Sequence, residues 1–172
     1  MTRPTEYDED VETMAVDSLL PEVLRWLNEK QDGDGSVREQ LTEYIHESDG
    51  YDFTRALDRY YGWDPNAELV EILDGASWAL RSAVNVQTEK WIAAYGVTPA
   101  LKIGDLVTYK GKPCEIIRID DKHGTYTLFS STEGHVREGV GTHGHIVNWE
   151  LIDGRINMRG LTVTGPLFGC TA

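Results

Sequence analysis

The chain predicts an α+β protein: an acidic N-terminal bundle of short helices followed by a small antiparallel β-barrel. Three observations carry this. Apolar residues recur at three- and four-residue spacing as far as residue 95, which is the period of an amphipathic helix. Gly96 and then Pro99 end that pattern, as a helix C-terminal stop does. From Asp105 to Ile152 the pattern becomes short apolar runs broken by glycine-bearing turns, the signature of strands in close succession. Helices are therefore expected only before residue 97, and strands are expected to dominate 104–152.

Val11, Met14, Ala15, Leu19, Val23, Trp26 and Leu27 form the first helical stripe. Proline costs several kcal/mol inside a helix and little in its first turn, so Pro21 predicts two helices, near 9–17 and 20–30. Ser36 and Glu39 have the spacing of a capping box, and Val37, Leu41, Tyr44 and Ile45 supply the next stripe, ending near Ser48. Asp52 is expected to cap a third helix with Phe53, Ala56, Leu57 and Tyr60 inward and Gly62 as its stop. Asp64-Pro65 opens a fourth through Leu73. The longest periodic stretch runs from Ala76 to Tyr95, with Leu80, Val84, Trp91 and Tyr95 on one line and Trp78, Ala79, Ala83 and Ala94 beside it. This helix is expected to pack on both halves of the protein.

The expected strands are Asp105–Tyr109, Cys114–Asp120, Thr125–Ser130, His135–Val140 and His145–Ile152, with a last one from the alternation Ile156, Met158, Leu161, Val163. The opening Ile103-Gly104-Asp105-Leu106-Val107-x-Tyr109-x-Gly111-x-Pro113-x-x-Ile116 resembles the first hairpin of Tudor-like small barrels, over about fifty residues. The resemblance implies a superfold and no single function. The expected organisation is an acidic helical region (1–75), a connecting helix (76–98), a small β-barrel (99–164) and a tail (165–172).

Charge is where the chain departs from the average. Its formal net charge is −13. Up to Asp74 there are 20 Asp and Glu against 6 Lys and Arg, a net of −14, and the remainder carries 9 against 10, a net of +1. Adaptation to high salt would spread acid over every surface, so this asymmetry points instead to one acidic segment. The N-terminus is acidic and has no apolar core region, unlike a secretory or transit signal, and no run approaches the length of a membrane span. Two cysteines, Cys114 and Cys170, give neither a disulfide framework nor a metal pair. A reduced, cytoplasmic setting is expected, with no membrane partner.

Four constellations could carry chemistry. The Asp32-Gly33-Asp34-Gly35 turn echoes a calcium loop, but Lys30 and Leu41 stand where the first carboxylate and the bidentate glutamate belong. His123, His135, His143 and His145 could ligate zinc or nickel, although His143 and His145 sit in a glycine-rich turn. Tyr109, Lys110, Lys112, Arg118, Lys122, His123, Tyr126 and Phe129 interleave base and aromatic as a nucleic-acid-binding barrel does. Residues 101–153, however, carry 6 basic against 8 acidic side chains, so direct nucleic-acid binding is not expected. Cys114 lies in a strand as a small hydrophobe, and no catalytic signature occurs. An enzyme is the minority expectation, and no cofactor or structural metal is expected.

The acidic helices are the fourth constellation. Asp32, Asp34, Glu39, Glu43, Glu47, Asp49, Asp52 and Asp58 are the expected partner-binding residues, on or beside the polar faces of capped helices. Carboxylates held rigidly at such spacing can imitate the phosphate rows of a duplex and occupy a basic groove, whereas a plain solvated face would only keep the protein soluble. The expected function is non-enzymatic: a nucleic-acid mimic or inhibitor that engages a basic, nucleic-acid-binding protein. Small acidic inhibitors of defence enzymes carried by phages and mobile elements share this composition. The alternative is a structural or assembly subunit that oligomerises through the barrel. A metal-dependent enzyme at the histidines comes third.

Overall fold

A computed structural model describes residues 2–28, 35–130 and 144–152, together with the backbone of 154–156, 162–163 and 168–169. The chain divides into two compact units, 1–87 and 88–172. It is α+β: among the described residues the helices α1 (Glu9–Trp26), α2 (Ser36–Tyr44), α3 (Gly50–Tyr61), α4 (Ala67–Leu73) and α5 (Ala76–Tyr95) precede the strands. No helix among the described residues is long and apolar enough to cross a membrane.

The first unit is built on one apolar core. Val11, Ala15, Val16, Val23, Leu41, Phe53, Leu57 and Leu69 are wholly excluded from solvent, and Ala76, Ala79, Leu80 and Ala83 of α5 join them. Pro21 lies inside a continuous α1, which corrects the expected break into two helices. Proline removes the hydrogen bond to the carbonyl four residues back and costs about 3 kcal/mol. Here both Pro21 and Asp17 are exposed, and seven apolar residues buried along the opposite face hold the helix across the gap. The helix ends at Leu27 and Asn28, whose φ of 59° is the left-handed conformation common just past a helix.

Two caps differ from expectation. Gly35, at φ 79°, takes the N-cap position of α2 and makes no side-chain cap hydrogen bond, so Ser36 is the first helical residue and the Ser36–Glu39 capping box does not form. Asp49, and not Asp52, caps α3, its carboxylate accepting from the Asp52 backbone N–H at 2.9 Å. Gly62, at φ 69°, ends α3 as expected. Asn66 caps α4 through the Leu69 N–H at 3.1 Å. The start of α3 is pressed against the end of α4: the Gly50 N–H donates to Asp74 Oδ1 at 2.7 Å, and a Cβ at Gly50 would lie 2.2 Å from the Val70 carbonyl oxygen. Trp78, expected on the inner side of α5, is 70% exposed.

In the second unit, β2 (Leu106–Tyr109), β3 (Lys112–Asp120), β4 (Thr125–Phe129), β5 (His145–Asn148), β6 (Gly154–Ile156) and β7 (Thr162–Val163) form one antiparallel sheet in the order β5-β4-β3-β2-β6-β7. Among the described residues the sheet is open, with β5 and β7 at its edges. Lys110 at φ 50° and Gly111 at φ 72° make a two-residue turn between β2 and β3, and both positive angles are what a type I′ hairpin requires. The register shifts between Ile116 and Arg118 opposite β4, a bulge that adds local twist. The strand expected over His145–Ile152 stops at Asn148 and continues as a 3₁₀ turn, Trp149–Leu151. The expected tail contains β8 (Phe168–Gly169), paired with β1 (Thr98–Pro99). The strand expected at His135–Val140 lies outside the described residues.

Alternation along the strands builds a second core of Val107, Cys114, Ile116, Tyr126, Leu128, Val147 and Trp149. Tyr126 is fixed in it by the Leu101 backbone N–H, which donates to its hydroxyl at 3.2 Å.

Candidate acidic and tyrosine-bearing face

Of the eight expected partner-binding residues, Asp32 and Asp34 lie outside the described residues. Glu39, Glu43, Glu47, Asp49 and Asp58 are exposed and Asp52 is half-buried. Glu39 and Glu43 lie four apart on α2, where like charges cost a few tenths of a kcal/mol, and Glu47 lies past the helix, which ends at Tyr44 and not near Ser48 as expected. Asp49 and Asp52 have local structural roles. The first caps α3, and the second also accepts a hydrogen bond from the Ser48 hydroxyl at 2.8 Å.

Glu43 is where α2 and α3 meet. The Tyr44 hydroxyl donates to its Oε1 at 2.9 Å, and the Tyr61 hydroxyl, from the end of α3, donates to its Oε2. The bond from Tyr61, with that from Tyr44 second, holds the Glu43 carboxyl below the usual glutamate range. Burial and the neighbouring carboxylate push the Tyr44 hydroxyl up to about 12. Tyr44 stacks on Tyr60 with centroids 5.6 Å apart and meets the edge of Tyr61 at 6.2 Å. Tyr60, expected inward, is 60% exposed. A tyrosine at a helical inward position can turn outward because its hydroxyl gains from water while its ring still packs on a neighbour.

Charge counting missed these tyrosines. The signal for them was the doublet Tyr60-Tyr61 at the end of α3, just before the Gly62 stop. On the same helix the Arg55 guanidinium lies over the Tyr51 ring at 5.6 Å, and that of Arg59 over the Tyr60 ring at 5.5 Å. Nearby, Arg38 pairs with Asp17, and His46 Nε2 lies 2.8 Å from Glu12 Oε1 while stacking on Tyr7. These contacts tie α2 and the segment after it to α1.

The other constellations are arranged differently. His135 and His143 lie outside the described residues, and His145 is exposed. His123 is held by Asp120, with Nδ1 2.9 Å from Oδ2, and has Glu89 Oε1 at 3.5 Å from Nε2. The Lys122 ammonium pairs with the same Glu89 oxygen at 2.9 Å. Hydrogen bonds from His123, and from the Lys122 backbone, hold the Asp120 carboxyl below its ordinary range. Among the described residues no group of three His, Cys, Asp or Glu side chains is placed to hold a metal ion. Tyr126 and Phe129, counted in the basic and aromatic stripe, are buried rather than displayed. Cys114 is buried, and its Sγ contacts the Lys112 carbonyl at 3.7 Å.

No protein-family model matches this chain, and no curated protein and no solved structure matches it. The class that fold and site define is therefore an α+β protein whose helical unit displays carboxylates together with tyrosines.

Proposed function

We propose that the helical unit docks on a basic, nucleic-acid-binding protein and occupies the surface that nucleic acid would take, as a mimic or inhibitor. The observation that carries this reading is the set of exposed carboxylates Glu39 and Glu43 on α2, Glu47 in the turn after it and Asp58 on the next helix. In the sequence their unit carries an excess of acid that the second half lacks. A field of this sign steers a basic partner and repels nucleic acid itself. Tyrosines beside the acids supply the rigid, amphipathic contact area that interfaces favour. A cytoplasmic setting goes with this reading, and anti-defence activity carried by a phage or mobile element is one role it would serve.

The test is capture of partners from the host lysate by the wild type and by a Glu39→Lys, Glu47→Lys, Asp58→Lys variant, at about 0.1 M and 1 M salt, where the screening length falls from about 10 to 3 Å. A basic protein retained by the wild type at low salt, displaced by duplex DNA and lost by the variant supports the reading. Equal capture by both proteins sinks it.

A second reading is assembly through the sheet, favoured by Ile146 of β5, 75% exposed, and Leu106 of β2, 49% exposed. Closure of that sheet into a Tudor-like barrel is part of the same proposal. Substituting both residues by Ser would then shift the mass seen in light scattering to that of a monomer, and an unchanged mass would dispose of it.

A further inference from the structure

The acidic face contains one position built for a single kind of side chain, and we infer that Glu43, framed by Tyr44, Tyr60 and Tyr61, seats an arginine of the partner. This rests on the docking proposed above. A carboxylate has about four lone-pair sites on its two oxygens. In Glu43 each oxygen takes one tyrosine hydroxyl, Tyr44 on Oε1 and Tyr61 on Oε2. One site per oxygen remains, which is the acceptor pattern of a bidentate guanidinium. Two fixed donors also remove the rotamer freedom that an exposed glutamate would otherwise lose on binding.

The aromatic surroundings favour the same group. Tyr61, which donates to the carboxylate, is 40% exposed. Guanidinium stacks on tyrosine faces, whereas an ammonium is a strongly hydrated point charge. The protein already displays this preference, because Arg59 lies over Tyr60 and Arg55 over Tyr51. Lysine satisfies the charge of the face but neither the two-oxygen geometry nor the flat stack.

Nona-arginine and nona-lysine peptides, equal in charge, separate this seat from general attraction. Titrated calorimetrically at low salt, the wild type is expected to prefer the arginine peptide by about tenfold, the effect of one good charge-assisted pair. Glu43→Gln and Tyr61→Phe should each reduce that preference to less than twofold while the circular dichroism spectrum is unchanged. The Glu39→Lys, Glu47→Lys, Asp58→Lys variant should weaken both peptides and keep the preference. Equal binding of the two peptides by the wild type, or a tenfold preference that survives Glu43→Gln, overturns the seat and leaves the docking face standing. Failure of both peptides to bind at low salt overturns the docking reading and the seat with it.

Discussion

At Gly50 the first helical residue of α3 meets the backbone of α4, and the space is too small for any side chain. A Cβ there would stand 2.2 Å from the Val70 oxygen and 2.6 Å from the Asp74 nitrogen, so the backbones must separate. Gly50→Ala is expected to cost at least about 2 kcal/mol of stability in urea unfolding, at the upper part of the range for overpacking. A loss below about 0.5 kcal/mol would mean that the junction yields freely. The Glu43 cluster makes a pH prediction. Its carboxyl lies below the ordinary range because it accepts from Tyr61 and Tyr44. Such a group stabilises the fold above its unfolded value, near 4.3, and that stabilisation disappears as pH falls through the lower folded value. The urea midpoint should therefore fall more between pH 5 and pH 3 in the wild type than in Tyr61→Phe. Parallel curves would show that the hydrogen bonds do not persist in solution. Little of this was legible beforehand. The four-residue spacing of Glu39, Glu43 and Glu47 is visible in the chain, but Tyr61 reaching Glu43 joins residues eighteen apart across two helices, and no local pattern encodes that.

Among the elements, α1 shows why local punctuation can mislead. Pro21 signals a boundary, yet tertiary burial of Val16, Leu19, Leu20, Val23 and Leu24 on either side of it holds one helix together, and propensity yields to packing. Since Pro21 is exposed, its removal should restore a backbone hydrogen bond without emptying the core. Pro21→Ala is expected to raise stability by about 1–3 kcal/mol, read as a higher urea midpoint; a lower midpoint would show that the ring itself is needed. The caps were misplaced for a related reason: Asp and Ser occur so densely around the starts of α2 and α3 that the cap is chosen by which residue packing leaves non-helical, Gly35 and Asp49. The bounds of α5, flanked by Gly75 and Gly96, were legible because periodicity and stop signals agree there. In the second unit Asp120 closes the β3–β4 turn through the N–H groups of Lys122 and His123, each at 3.1 Å, and the His123 ring at 2.9 Å. Asp120→Asn keeps an acceptor but loses the charge, and Asp120→Ala loses both. The Ala change should therefore destabilise by about 1–2 kcal/mol and more than the Asn change, and equal effects would place the contribution elsewhere.

For the molecule as a whole, the order of helices before strands followed from periodicity, because one face of each element is buried and the alternation records which. The closure of the sheet did not follow, since strand patterns fix the inward face and say little about which edges meet. The acidity is likewise visible in composition, while its meaning depends on which carboxylates are displayed and which are spent on local structure, as Asp49 is on the α3 cap and Asp52 on the Ser48 hydroxyl. That distinction selects Glu39, Glu47 and Asp58 for charge reversal, because among the described residues their side chains cap no helix. The central claim is that these acids recognise a basic partner, and the salt-dependent capture of that partner by the wild type and by the Glu39→Lys, Glu47→Lys, Asp58→Lys variant measures it most directly. A basic protein is expected to be bound by the wild type at about 0.1 M salt, released towards 1 M, and absent from the variant although its helix content is unchanged. The same protein retained equally by the variant, or held undiminished at 1 M salt, would contradict it.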